Sequence, residues 1–457
     1  MEKEPVCGGE CLFGKCPHKY CIKAVRRNAE AAAPRHADME ILTGGRKPEL
    51  RTGKTGYGIA ADIGTTTVVL YLYQLDGARC ICVKSRLNAQ VSMGLDVISR
   101  IQFCADHKDG LEKLNDAIVK ELNSLVGEAL DESGVSREQV TGCVFTGNTT
   151  MLHLLAGLSP VSMGVLPFKP LSKFGYYESA EALGIDLPGS RCYLTPCMSA
   201  FVGGDITSAL LAAGFAETDE TCLLMDIGTN GEIAVGNKDF VLSTSTAAGP
   251  AFEGAHISCG MAGVKGAVKH LDVLQGKLTL EVIGGGEAQG LCGSGLLDAI
   301  AWMRKIGVVD ETGRIAAESE SRFIGEKEGA PVIRITDRIF ITQKDIRELQ
   351  TAKAAMAAGV LSLLREAGLQ AHDIRRVYLA GGFGNYMDRR SAAEIGLLPR
   401  GFREITSIGN AAGMGAVMAL FDEGSENAMK HICSVGKHVE LGSNPYFMEK
   451  YVESMYF

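Results

Sequence analysis

No apolar run in this 457-residue chain approaches the roughly 18 residues needed to span a bilayer, so no membrane partner is expected. The N-terminus, MEKEPVCGGEC, lacks the apolar stretch of a secretory signal, and a cytoplasmic location is expected by default. A basic excess is missing as well: 46 Lys and Arg stand against 54 Asp and Glu, for a net charge of −8. Nucleic acid selects a basic face and is not an expected partner. A reducing compartment argues against a disulfide framework, although there are 14 cysteines. What remains is an ordinary globular composition, 46% hydrophobic and 22% charged, with length for two or three domains at ~150 residues each.

The cysteines are unevenly spread. Cys7, Cys11, Cys16 and Cys21 crowd the N-terminus with Gly8, Gly9, Gly14 and Pro17 between them, a composition suited to a loop around a metal centre. Four thiolates satisfy either a [4Fe–4S] cluster or a structural zinc. Zinc sites more often pair close cysteines across a longer gap, so the even spacing leans towards iron–sulfur. The plant-type [2Fe–2S] spacing is absent. His18 reads as an exposed loop residue. The remaining ten cysteines read as small buried apolar residues, with Cys192 and Cys197 as a weaker metal pair.

Residues 1–40 therefore form a cysteine-rich segment, and the Gly-, Lys- and Arg-rich stretch 41–56 a linker. From Tyr57 the pattern turns to strands: Gly58–Asp62, then the β-branched and aromatic Thr67–Gln74, then Cys80–Arg86. A helix is expected at about 110–133. The opening repeats later, where Cys222–Asp226 runs into Ile227-Gly228-Thr229-Asn230-Gly231-Glu232. ADIGTTT (61–67) and MDIGTNG (225–231) thus head two similar strand–turn–strand units, too far apart for a solenoid. A third landmark, the strand Arg376–Ala380, runs into Gly381-Gly382-Phe383-Gly384. Before it, Thr342 and Asp345 make a capping box for a helix carrying Ile346, Leu349, Met356, Val360 and Leu363. Residues 443–457 suggest a short amphipathic helix docked on the body.

The repeated turns have the chemistry of a phosphate site. Gly64 permits close approach or positive φ. The N–H groups of Gly64, Thr65 and Thr66 can converge on an anion, and Thr65, Thr66 and Thr67 add hydroxyls. Asp62 at the strand end can hold Mg²⁺ through water. Gly228, Thr229, Asn230 and Gly231 offer the same kit with Asp226 as the second carboxylate. One such turn is explained as a capped hairpin. Two of them, with a third motif at Gly381, Gly382 and Phe383 whose glycines let a flat adenosine lie against the backbone, point to ATP. Asp205 either points into a cleft to position water or caps a helix. Glu232 either polarises water or is a solvated turn carboxylate. Lys353 faces either the nucleotide or solvent. The loop 249–254 is a candidate contact for nucleotide or partner, and Gly284–Gly286 a mobile loop.

In these three motifs the chain resembles the ASKHA (actin/hexokinase/Hsp70) superfamily. The resemblance implies an α/β fold with two RNase H-like lobes around a nucleotide cleft, spanning 57–218 and 219–430, with 431–457 as a tail on the body. Gly409–Gly413 resembles the small-residue helix that crosses between the lobes. Further strings, FTGNTTM (145–151), AFVGGD (200–205), GPAFEGA (249–255) and LCGSG (291–295), are similar to those of reductive activators of corrinoid proteins. That resemblance implies ATP-dependent reduction of inactive Co(II) to Co(I) in a corrinoid methyl-carrier protein, with electrons from an iron–sulfur cluster fed by an upstream low-potential donor. It implies a [4Fe–4S] cluster at Cys7, Cys11, Cys16 and Cys21, with [2Fe–2S] or zinc as alternatives. It also implies catalytic roles for Asp62, Asp205, Asp226 and Glu232, Mg²⁺ with the ATP, and compatibility with a homodimer. The short N-terminal segment departs from activators that carry a full ferredoxin domain. Three rivals stand beside this reading: a sugar or acyl kinase with a structural zinc knob, an ATP-dependent binding switch, and an activator of radical dehydratases.

Overall fold

The computed structural model describes residue 50 and residues 53–274, 277–317 and 321–457. The cysteine tetrad, His18 and most of the expected linker lie outside the described residues. Strands β1 (Tyr57–Ile63), β2 (Thr67–Gln74) and β3 (Arg79–Leu87) form an antiparallel meander. Helices α1 (Val97–Asp106) and α2 (Gly110–Ser133) follow. The α2 stripe of Leu114, Ile118, Leu122 and Leu125 packs on Ile59, Ile63, Val68 and Leu70 of the sheet. Strand β4 (Val140–Gly147) returns parallel to β1 and leads into α3 (Thr149–Leu155). Strands β5 (Tyr176–Ser179) and β6 (Arg191–Leu194) complete a sheet ordered β3-β2-β1-β4-β6-β5, and α4 (Gly204–Ala212) leaves it.

The second lobe repeats the plan. Strands β7 (Cys222–Ile227), β8 (Gly231–Gly236) and β9 (Val241–Thr246) make the meander. An insertion carries two small sheets and one helix: β10 (Ala267–Leu274), β11 (Lys277–Val282), β12 (Gly290–Leu291), α5 (Gly293–Lys305), β13 (Ile324–Lys327), β14 (Ala330–Arg334) and β15 (Phe340–Thr342). Helix α6 (Gln343–Glu366) starts at the expected Thr342–Asp345 capping box. Strand β16 (Arg376–Ala380) pairs parallel with β7 as β4 does with β1. After α7 (Arg389–Glu394), β17 (Ile405–Gly409) pairs with β16 as β6 does with β4. Helices α8 (Ala411–Phe421) and α9 (Glu423–Val435), β18 (Gly436–His438) beside β9, and α10 (Pro445–Glu453) against α6 end the chain. The α/β class and the paired lobes are as expected.

Strand alternation divides the core into layers. Ile59, Ala61 and Ile63 of β1 face the helices outside the first lobe, as Leu223, Met225 and Ile227 of β7 do in the second. Ala60 of β1 and Cys222 and Leu224 of β7 face a shared central layer. Helices α4 and α8 lie in that layer. They touch backbone to backbone, since a Cβ on Gly415 would fall 2.0 Å from the Ser208 carbonyl oxygen. Helix α8 belongs by sequence to the second lobe, yet it covers the first sheet. Its Phe421 meets Tyr73 edge-on at 5.4 Å, and Leu420 fills the space beside Gly58. The packing of α8 thus crosses the 218/219 division, because a sheet buried on both faces needs a cover that α4 alone does not supply. The expected 430/431 division falls inside the continuous helix α9.

Candidate functional site

The alternation that builds the central layer also places two acids. Asp62 follows Ala60 on the inner face of β1, and Asp226 follows Leu224 on the inner face of β7. The two hairpins differ in one detail. Ile63 pairs with Val68, but Ile227 pairs with Gly231, so the second turn is one residue shorter. Glu232 consequently stands opposite Asp226, where Val69 stands opposite Asp62. Asp205 joins them from the first turn of α4. It is not the helix cap: that is Gly203, where a Cβ would come within 2.5 Å of the Asn148 Cα. Its Oδ1 instead accepts from the Ile206 N–H at 2.8 Å. Glu253, not singled out from the sequence, accepts from the Thr229 hydroxyl at 3.0 Å.

Burial raises the pKa of these carboxyls, and neighbouring carboxyls add to the rise at Asp62, Asp205 and Glu232. Burial pushes Asp62 up to about 7; a hydrogen bond from Asn410 opposes the rise and Asp226 adds to it. Burial likewise lifts Asp205 to about 7, with Asp62 and Asp226 contributing, and Asp226 to about 6. Glu232 is held well above the ordinary range by burial and then by Asp205 and Asp226, although Ser245 donates to it at 3.1 Å. Burial raises Glu253 too. Mutual repulsion of this kind marks a site that a cation would relieve. Among the described residues no three His, Cys, Asp or Glu side chains converge as direct ligands. A cation here would be held largely through water, which suits Mg²⁺.

The first turn is braced from behind. Asn88 Nδ2 donates to the Gly64 carbonyl at 2.9 Å, and the Asn88 N–H donates to the Thr66 carbonyl at 2.9 Å. Between them, Arg100 Nη2 donates to the Thr65 carbonyl. A peptide plane carries its C=O and N–H on opposite sides. Tethering the Gly64 and Thr65 carbonyls therefore turns the Thr65 and Thr66 N–H groups the other way. Among the described residues neither N–H has an acceptor, so both remain available to an anion. Asn148 Nδ2 donates to Thr65 Oγ1 at 2.9 Å while its Oδ1 accepts from the Met151 N–H. Gly64 is required here, since a Cβ would sit 2.6 Å from the Thr67 carbonyl oxygen. Asn88 and Arg100 carry no motif, and sequence reasoning missed both.

The second turn is closed by the Gly228 N–H on the Asn230 carbonyl at 3.1 Å. Gly231 is a packing position: a Cβ there would collide with Met356 Sδ of α6. Gly381, at φ 85°, lies against Asp226, to which a Cβ would approach within 2.9 Å of Oδ1. Gly382 is exposed, with open space where a Cβ would point. The Phe383 ring is buried and packs 4.6 Å from Phe252, which is compatible with the expected approach of adenosine to the backbone of this motif. Lys353 corrects the sequence reading, which placed it facing the nucleotide or solvent. It is buried, donates to the Tyr456 carbonyl and lies over the Phe457 ring at 5.1 Å, because the tail docks on that face of α6. Cys192 sits opposite Cys143 on the adjacent strand, which gives it a partner other than Cys197.

Residues 57–218 match the RACo middle region, and residues 220–457 match the C-terminal domain of RACo, the ASKHA domain. The corrinoid activation enzyme RamQ of Eubacterium limosum is 36% identical over 434 residues, covering 90% of this chain and 72% of that protein. The [Co(II) methylated amine-specific corrinoid protein] reductase of Methanosarcina barkeri is 26% identical over 391 residues, covering 78% of this chain and 68% of that protein. A solved reductive activator for corrinoid, iron–sulfur protein superimposes with a TM-score of 0.81 at 35% identity, covering 89% of this chain and 66% of the other. The chain thus spans about two thirds of the length of that solved activator.

Proposed function

This chain belongs to the RACo family, and from that premise we propose that it reductively activates a corrinoid protein, returning inactive Co(II) to Co(I) at the expense of ATP. The observation that carries the nucleotide half of this reading is the pair of Thr65 and Thr66 N–H groups without an acceptor among the described residues, together with the crowded carboxyls of raised pKa. Gly64, Thr65, Thr66 and Thr67 on one lobe and Gly228, Thr229 and Asn230 on the other are the proposed phosphate cradle. The Gly381–Gly382 backbone is the proposed rest for adenosine. Asp62 and Asp226 are assigned to Mg²⁺ through its water shell, which would supply charge neutralisation on the phosphates. Asp205 is assigned to orienting the attacking water, with Glu232 behind it. Hydrolysis in such a cleft rests on positioning and charge.

The redox half rests on the family and on the cysteine tetrad. Cys7, Cys11, Cys16 and Cys21 are the proposed ligands of a [4Fe–4S] cluster, which would supply single electrons. An upstream low-potential donor must refill it. Each ~100 mV of uphill one-electron transfer costs about 2.3 kcal/mol, so ATP has to favour one arrangement of the activator–corrinoid complex over another. Among the described residues no helix is long and apolar enough to cross a membrane, and a cytoplasmic site of action is part of the proposal.

Anaerobic purification with iron and sulfide analysis, followed by optical monitoring of a cob(II)alamin-type corrinoid protein, tests the reading. The expected result is iron and sulfide lost together in Cys11→Ala/Cys16→Ala, and Co(I) formation that needs both ATP and the intact tetrad. Zinc in place of iron, with no Co(I) formed, would overturn it in favour of a kinase or a binding switch.

A further inference from the structure

Arg100 is the largest fully buried side chain among the described residues, and it lies in the first lobe beside the phosphate turn. Its guanidinium reaches four neutral acceptors. Nε donates to the Gly94 carbonyl at 2.9 Å, and Nη1 donates to Gln90 Oε1 at 2.9 Å and contacts Met151 Sδ. Nη2 donates to the Thr65 carbonyl. Gln90 is itself buried and anchored through Nε2 to the Leu114 carbonyl at 2.9 Å, so the fork is fixed by helix α2. Arg100 makes no salt bridge among the described residues. Asp96, the carboxylate that favours its charge, is engaged four residues earlier in capping α1. A buried ion without a counter-ion is costly unless something else supplies one.

The guanidinium stands behind the peptide whose other side presents the Thr66 N–H to the cleft. We propose that Arg100 is a positioning residue of the nucleotide site: it fixes the Thr65–Thr66 peptide with its N–H towards the phosphates, and the phosphates provide the counter-charge that the protein withholds. This inference rests on the reading that the first turn takes phosphate. It assigns a role to a side chain that never touches the ligand. The bond to Thr65 is charge-assisted and polarises the peptide, which makes the Thr66 N–H a stronger donor.

A phosphate-specific effect separates this role from packing. Binding of ATP, ADP and adenosine is measured by calorimetry on the full chain for the wild type, Arg100→Met and Arg100→Lys, with the nucleotide-free melting temperature of each. Arg100→Met is expected to weaken ATP and ADP by about tenfold, equivalent to ~1.4 kcal/mol, while adenosine changes by less than about twofold. Arg100→Lys keeps the charge without the fork and is expected to fall between. If Arg100→Met does not accumulate as folded protein, the ATP-to-adenosine ratio of Arg100→Lys decides alone. A lowered melting temperature with an unchanged ratio would make Arg100 a packing residue and overturn the inference. A wild type that binds ATP no better than adenosine would instead overturn the nucleotide reading beneath it.

Discussion

Asp62 and Asp226 occupy the same station in two copies of one hairpin: each is the next-to-last residue of its strand, on the face turned to the layer between the lobes. The pseudo-symmetry ends one pair further on. Val69 faces Asp62 across the first hairpin, whereas Glu232 faces Asp226 across the second. The second hairpin therefore brings two carboxyls to the cleft where the first hairpin brings one, with Asp205 added from α4, and this crowding of acids has a consequence for cation binding.

A cation must displace the protons that burial and repulsion hold on Asp62 and Asp205, both near 7. For a group of pKa 7 the ionised fraction rises about tenfold between pH 6 and pH 8. Mg²⁺·ATP affinity should rise across that interval, and calorimetry in buffers of different ionisation enthalpy should detect proton release near pH 7. In Asp226→Asn the neighbouring charge is gone, and the Asp62 midpoint should move down. A flat affinity from pH 6 to pH 8 would rule out these carboxyls as the cation site.

The same shifts govern stability without nucleotide. A carboxyl whose folded pKa exceeds its unfolded value favours the fold while protonated. Its contribution is present below about pH 4 and is lost as pH rises through 7. His153 acts in the opposite sense. Its Nδ1 pairs with the Thr149 carbonyl at 2.7 Å and its Nε2 accepts from the Leu171 and Ser172 N–H groups, so the ring is held neutral and burial lowers its pKa. Its contribution is lost as pH falls below about 6.5. Asp62→Asn should therefore raise the nucleotide-free melting temperature at pH 8 and leave it nearly unchanged at pH 4. An equal shift at both pH values would mean that Asp62 is not raised.

The hairpins and their Asp-Ile-Gly-Thr turns were legible because each is local: apolar alternation, a glycine and a carboxylate within ten residues. The Thr342–Asp345 cap was legible for the same reason. Helix α8 was recognisable as a helix of small residues that crosses between lobes, but nothing local says that it covers the first sheet. Asn88 and Arg100 act through carbonyls of residues 64–66, and a backbone acceptor leaves no trace in sequence. The Gly-Gly-Phe motif pointed to close backbone approach; it carried no information on the Phe383 ring, which Phe252 claims. Lys353 failed differently. Helical spacing identifies a core-facing stripe, but not whether a flank of it meets the cleft or the docked tail.

Lys353 supplies a direct check on that correction. Its Nζ serves the Tyr456 carbonyl, and the neighbouring Gln350 Nε2 donates to the Met455 carbonyl at 2.6 Å. Lys353→Met keeps the stem and removes the donor. ATP affinity should stay within about threefold, or ~0.7 kcal/mol, while hydrogen exchange over residues 445–457 should accelerate as an orphaned carbonyl loosens the tail. Loss of ATP affinity with unchanged exchange would restore Lys353 to the nucleotide site.

Two helix glycines separate a packing requirement from a helix preference. Gly127 on α2 has only an Arg137 nitrogen, at 3.6 Å, near the point where a Cβ would lie. Gly127→Ala should stabilise by up to about 1 kcal/mol through helix propensity. Gly415→Ala places its Cβ 2.0 Å from the Ser208 carbonyl oxygen, so α4 and α8 must part, at a cost of about 1–3 kcal/mol for overpacking. Displacement at Ser208 reaches the cleft, because Asp205 lies one turn earlier on the same helix and the Ser208 hydroxyl is bonded to Thr146 Oγ1 at 2.9 Å. ATP hydrolysis should therefore fall more than ATP affinity in Gly415→Ala, since Asp205 is assigned to the attacking water while the phosphate turn stands on β1, β2 and α1. Thermal melts and single-turnover hydrolysis of the two variants decide the point. Equal losses of affinity and turnover in Gly415→Ala would detach Asp205 from the hydrolytic step.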